Sequence, residues 1–194
     1  KENDIRRMIS FSSVAQIGYI YMGFGLGTEL GMVASIFHIL SHAATKSLLF
    51  ISAIGLTDVS KGSRKFQDLT GAAYRHKIAG IGFTVGSLSM VGMPLFSGFV
   101  SKLLFAQASI GHAYKMLPAL IVLGISTILN AIYFMKTVIR IFVPERRSDC
   151  EVITIKSEKT YALTIVLFIA LNIALGMLSQ PIVEWIKMGL DMFA

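Results

Sequence analysis

Residues 78–110 read IAGIGFTVGSLSMVGMPLFSGFVSKLLFAQASI, two apolar stretches, 78–93 and 95–110, that meet at Pro94. A membrane crossing needs roughly 20 apolar residues to span about 30 Å of hydrocarbon, and neither stretch reaches that length. Proline removes a backbone donor and clashes with the preceding turn, so a continuous helix through Pro94 is ruled out. Such a break is tolerated at membrane depth only where it is buried in protein or lines a cavity. The segment therefore reads as one crossing built from two half-helices, with Gly92, Pro94 and Gly98 marking the break.

Working outward, the apolar stretches 8–26, 30–56, 117–143 and 161–179 are each long enough to cross alone. The expected fold is thus an all-α, polytopic membrane helix bundle of about five crossings, one of them discontinuous. Short links lie at 27–29 and 111–116, and two long polar loops at 57–77 and 144–160. The tail 181–194, with Trp185, Lys187 and Asp191 among apolar residues, is expected to be an interfacial amphipathic helix. That gives a transmembrane domain at 1–180 and an interfacial helix at 181–194. Val152 to Ile155 is β-branched enough to extend briefly. The first residues hold no initiator Met and no apolar signal core, so the chain reads as beginning within a longer protein.

The composition agrees. Of 194 residues, 54% are hydrophobic and 15% charged, against about 25% charged in soluble domains, which argues against a soluble enzyme. The net charge of +7 would suggest a nucleic-acid partner only if the cations shared one solvent-exposed face. They do not. In a five-crossing bundle, Lys1, Arg6, Arg7, Lys61, Arg64, Lys65, Arg75, Lys77, Arg140, Arg146, Arg147, Lys156 and Lys159 fall on one side, and Lys115 and Lys187 on the other. This is the positive-inside pattern; it places the long loops in the cytoplasm and the protein, as a multi-pass chain, in the cell's inner (plasma) membrane.

Of the 18 Lys and Arg, three remain inside apolar segments: Lys46, Lys102 and Lys136. A mid-bilayer lysine costs at least about 2.5 to 3.5 kcal/mol on insertion scales. All 11 carboxylates lie in loops or at segment ends, so these cations have no acidic partner at their depth. His38, His42 and Lys46 are spaced i, i+4 and i+8 and share one helix face, about 6 Å of rise apart. They form a row of proton acceptors. Lys102 lies eight residues after Pro94, next to Ser101, where an interrupted helix frees carbonyls and amides to hold water or ions. Lys136 has Arg140 four residues on and is explained equally well by snorkelling to the basic side. Ser12, Ser13, Gln16, Asn130 and Asn172 read as interhelical hydrogen-bonding groups.

No catalytic residue, metal site or cofactor site is expected. Cys150 is a lone cysteine, which excludes an intrachain disulfide and any multi-cysteine cluster, and no GxGxxG opens a helix after a strand. A metal shared by His38 and His42 would lack a third ligand and would meet Lys46.

Three stretches carry a resemblance: 3–19 (NDIRRMISFSSVAQIGY), 37–50 (FHILSHAATKSLLF) and 92–102 (GMPLFSGFVSK). Their order and spacing resemble the antiporter-type membrane subunits of NADH:quinone oxidoreductase (respiratory complex I), multisubunit Na+/H+ antiporters and membrane-bound hydrogenases. The resemblance implies the second of two inverted repeats and the crossings that follow it. It further implies proton or Na+ translocation through a relay of His38, His42, Lys46 and Lys102, with Lys136, Arg6 and Ser101 as accessory candidates. Arg6 stands where the family commonly has Lys, and an arginine stays protonated, which weakens its case as a relay group. The implied partners are the lipid bilayer, other membrane subunits of one complex and an N-terminal half of the same subunit. Redox chemistry would belong to those other subunits. A purely structural membrane scaffold is the alternative from another class.

Overall fold

The computed structural model describes residues 2–110, 114–144 and 159–192. Lys1, Arg146, Arg147, Cys150, Lys156 and the expected extension at 152–155 lie outside them. Among the described residues the chain is helical and has no strand, only an isolated antiparallel bridge between Asp4 and Lys65. The helices are α1 (Ile5–Leu26), α2 (Glu29–Asp58), the single turn α3 (Ala72–Arg75), α4 (Lys77–Val91), α5 (Ser97–Ile110), α6 (Met116–Ile141), α7 (Lys159–Met177) and α8 (Ser179–Asp191). α2, α6 and α7 are each long and apolar enough to cross a membrane. The 22 residues of α1 have the length for a crossing too.

Local chemistry sets the boundaries. Asp4 caps α1, its Oδ1 accepting from the Arg6 and Arg7 amides at 2.8 and 3.1 Å. Gly27, at φ 69°, ends α1, and Thr28 caps α2 through the Gly31 amide at 3.1 Å. The buried residues of α1, including Ile5, Ile9, Ser12, Gln16, Tyr19 and Gly23, recur every three or four positions and lie against α2. α2 is the central pillar: 17 of its 30 residues are buried, and α1, α4, α5, α7 and α8 all pack on it.

The break is longer than the sequence implied. α4 ends at Val91 because Gly92 adopts φ 90° and its amide turns back to the carbonyls of Leu88 and Ser89. The chain then passes Pro94 and Leu95, which also has a positive φ of 87°, before α5 starts at Ser97. The proline thus lies in neither half-helix; the glycine cap ended α4 before it. α8 begins at Ser179, two residues before the expected tail. Its Ile182, Val183 and Ile186 pack on a cluster of Tyr19, Phe37, Leu104, Phe105 and Leu123, while Trp185 stays exposed.

The distribution of polarity is that of a protein in lipid. Ser12, Gln16, Ser41, Thr45, Lys46, Ser89, Ser97, Ser101, Asn130 and Asn172 are buried, whereas Ile121, Val122, Ile125, Ile128, Ile132, Val166 and Leu167 are exposed on α6 and α7. The chain is a multi-pass membrane protein. Arg6, Arg7, Arg64, Lys65 and Arg140 lie near one end of the bundle. There Ile5 N donates to Arg64 O and Phe66 N to Asn3 O, each at 3.0 Å, and Gly71 N donates to Arg140 O at 3.4 Å. These bonds hold the start of α1, the loop after α2 and the end of α6 together. Buried Arg75 staples the same loop by donating to Val59 O, Thr70 O and Ser60 Oγ, all at 3.1 Å. At the opposite end Lys115 Nζ donates to Gly25 O at 2.9 Å.

Gly98 sets how closely the two halves of the broken helix approach, because a Cβ there would run into the Ser89 carbonyl, whereas one on Gly18 would meet open space. Gly98→Ala is expected to destabilise the protein by about 1–3 kcal/mol, typical of overpacking, and Gly18→Ala to leave it unchanged, measured as thermal midpoints in detergent.

Candidate functional site

Three helices converge on the middle of α2. On its face towards α1, buried Lys46 donates from Nζ to Ile9 O at 2.7 Å and to Ser12 Oγ. Ser12 in turn donates to Ile9 O at 2.8 Å. One turn earlier on α2, and one turn again, stand His42 and His38, their rings stacked with centroids 5.9 Å apart. His38 is walled in by Tyr19 and Phe105, at 5.7 and 5.4 Å between centroids, and its Nδ1 pairs with Ser101 Oγ of α5 at 2.5 Å. Lys102, the next residue, turns back across the break to donate to Met90 O and Val91 O, at 3.0 and 2.6 Å.

That last contact explains the sequence of the break. Carbonyls at the C-terminal end of a helix lack intrahelical partners and carry the negative end of its dipole. Lys102 answers both by capping α4 from the other half of the same crossing. Gly92 leaves the room: a Cβ there would sit 3.0 Å from Lys102 Cδ and 3.2 Å from its Nζ.

Between these groups is a cavity with about 10 Å³ for water centres, lined by Gln16, His38, Ser41, His42, Thr45, Ser89, Met90, Gly98 and Lys102. That is close to what a single water needs. His38 Nε2, His42 Nδ1 and Gln16 Nε2 are buried around it without a hydrogen-bond partner. A second, much larger groove of about 820 Å³ runs between α1 and α6. Ser12, the partner of Lys46, borders it, as do Asn130, Tyr133, Lys136 and Arg140.

The structure brings His38, His42 and Lys102 to one cavity, with Ser101 bonded to His38, Lys46 one turn along α2 from His42 and held by α1, Gly98 in the cavity wall and Gly92 against Lys102. Pro94 shapes the break from outside the cavity. Lys136 is exposed on α6 and borders the groove rather than the histidine row. Arg6 sits at the basic end of the bundle, its Nη2 donating to Thr57 Oγ1 at 3.4 Å. No cluster of three or more His, Cys, Asp or Glu able to hold a metal occurs among the described residues. Gln16, Ser41, Thr45, Ser89, Ser97 and Asn172 also reach the site. Their signal in the sequence was a polar residue inside an apolar segment, the same signal that packing hydrogen bonds give.

The fold is thus a membrane helix bundle with a crossing broken at Gly-x-Pro and two lysines held by neutral oxygens. The chain belongs to the family described as NADH:quinone oxidoreductase/Mrp antiporter, TM, whose model matches residues 1–135. Among similar curated proteins, NADH-quinone oxidoreductase subunit N of Desulforudis audaxviator is 34% identical over 71% of this chain and 27% of its own length. The same subunit of Saccharopolyspora erythraea is 28% identical over 97% of this chain and 36% of its own. A Na(+)/H(+) antiporter subunit of Alkalihalophilus pseudofirmus is 30% identical over 94% of this chain and 36% of its own. A chain in the structure of the Mrp complex from a Dietzia species superposes with a TM-score of 0.82 at 25% identity, covering 96% of this chain and 42% of that one. The chain spans about a third of the length of these curated relatives.

Ser101→Ala would leave the buried Nδ1 of His38 unpaired. A loss of about 1–3 kcal/mol is expected, read as a lower thermal midpoint. Ser109→Ala serves as the control, because that hydroxyl bonds only Phe105 O of its own helix at 2.7 Å, and it is expected to leave the midpoint nearly unchanged.

Proposed function

We propose that this chain translocates protons across the membrane as an antiporter-like subunit of a redox-driven complex of the NADH:quinone oxidoreductase type. His38, His42, Lys46 and Lys102 form the relay. The carrying observation is the way the two lysines are held: Lys46 by Ile9 O and Ser12 Oγ, Lys102 by Met90 O and Val91 O, with no carboxylate at either among the described residues. A neutral cradle binds an ammonium through its dipoles yet lets it give up its proton without leaving a buried anion unpaired. An ion pair would fix the charge.

In this reading Lys46 passes a proton along the histidine row to the cavity. The cavity has room for about one water, and both His42 and Lys102 line it. Lys102 then carries it across the break, swinging away from the carbonyls of α4. Ser101 fixes the His38 ring, and Lys136 and Arg6 act outside the row, Arg6 as a fixed charge. The basic end of the bundle faces the cytoplasm across the plasma membrane. The partners are other membrane subunits of the complex and an N-terminal half of the subunit. Electron transfer and its cofactors belong to those partners. A second reading, as part of a multisubunit Na+/H+ antiporter, draws on the similarity to the Alkalihalophilus pseudofirmus antiporter protein over 94% of the chain.

Lys46→Ala and Lys102→Ala, each placed in the full complex in membrane vesicles, are expected to lower the rate of ion translocation about tenfold or more, the scale on which one positioned proton-transfer group acts. Translocation at the unmodified rate in both variants would overturn the assignment.

A further inference from the structure

α7 faces outward along most of its length, and its buried residues are Ala162, Ile165 and Asn172. Asn172 is fully buried and bonded on both sides. Its Oδ1 accepts from Ser97 Oγ at 3.0 Å and its Nδ2 donates to Thr45 Oγ1 at 2.8 Å. These are two members of a closed ring. Ser41 Oγ donates to Ser97 Oγ at 2.8 Å, Thr45 Oγ1 and Ser89 Oγ pair at 3.2 Å, and Gly98 N donates to Ser89 Oγ at 3.3 Å. The ring closes through the Ser97–Gly98 peptide and through one turn of α2 between Ser41 and Thr45.

Four helices meet in this ring. α2 supplies Ser41 and Thr45, α4 supplies Ser89, α5 supplies Ser97 and Gly98, and α7 supplies Asn172. Four of these residues, Ser41, Thr45, Ser89 and Gly98, line the small cavity between His42 and Lys102. Asn172 does not; it stands behind that wall. Nor is it needed to fill α7's own backbone bonding. A carboxamide is the one neutral side-chain type in the ring that donates and accepts at separate atoms, so it can bridge two hydroxyls that would otherwise lie too far apart to pair. One bridge runs to α2, beside Lys46. The other runs to the first residue of α5, five positions before Lys102.

We propose that Asn172 is a positioning residue for ion transfer: its amide clamps the second half of the broken helix to α2 and so fixes the cavity wall between His42 and Lys102. Asn172 takes no proton itself. The proposal rests on the relay reading and deepens it.

The test measures the initial rate of ion translocation, relative to the driving reaction, in membrane vesicles carrying the full-length protein in its complex. The variants are Asn172→Leu, which keeps the branched side-chain skeleton and removes both bonds, Thr45→Val, which removes one bond from the other side, and Asn172→Gln, which restores an amide. Misplacing a transfer geometry by about 1 Å can cost up to about a hundredfold, and a loss of about tenfold is expected for Asn172→Leu. Thr45→Val is expected to lose about half of that on a logarithmic scale, to add nothing to Asn172→Leu in the double variant, and to carry the test if Asn172→Leu fails to assemble. Asn172→Gln is expected to regain most of the rate. Unmodified rates in Thr45→Val and Asn172→Leu, or an Asn172→Gln complex as slow as Asn172→Leu at equal abundance, would overturn the proposal. A Lys46→Ala arm separates the two ideas: if it is slow while Asn172→Leu is not, only the clamp fails, and if it too runs at the unmodified rate, the relay fails.

Discussion

The contact between the Lys46 ammonium, the Ile9 carbonyl and the Ser12 hydroxyl is the constraint around which the bundle is arranged. A cation in hydrocarbon is expensive, and no carboxylate lies within this part of the chain to offset it. Only dipoles remain. To bring two oxygens of α1 onto Nζ, α1 must lie close along α2, and the small residues Gly23 and Gly31 permit that approach: a Cβ on Gly31 would come within 2.5 Å of Gly23 O. The same solution recurs at Lys102, where the oxygens come from a helix end that exists only because the crossing is broken. Neutral oxygens hold both lysines, and the break is the structural means of supplying the second pair.

Polar groups share the interior around α2 with apolar side chains such as Phe37, Leu48 and Leu49, and further apolar side chains face outward from α6 and α7. Stability then comes from close packing and from hydrogen bonds between helices, not from sequestering apolar surface from water. The ring through Asn172 is one such set of bonds, and it shares Ser41, Thr45, Ser89 and Gly98 with the wall of the water-sized space between the histidines and Lys102. On the proposed relay, structural bonding and the transfer path share residues.

The crossings and the two half-helices were legible in the sequence because lipid imposes length and polarity rules that a single chain displays openly. His38, His42 and Lys46 were legible too, since their four-residue spacing fixes one helix face. The extent of the break was not. Its first stop signal, Gly92 in a left-handed conformation, precedes the more conspicuous Pro94, and the positive φ of Leu95 has no marker in residue type. Nor was the cradle at either lysine legible: the Ile9, Met90 and Val91 contributions are backbone carbonyls, which every residue carries. Ser89 and Asn172 stood out as polar residues in apolar helices, but which helix each would face follows from packing across the bundle.

Everything turns on Lys46 being held by neutral oxygens. The most direct measurement is ion translocation by a Ser12→Asp variant in the full complex, which keeps Lys46 and supplies it with a carboxylate at the same place. If an uncompensated ammonium is what the relay uses, the new ion pair locks the charge, and translocation falls about tenfold or more while the complex assembles normally. Translocation at the unmodified rate, with Lys46 paired to the carboxylate, would contradict the account.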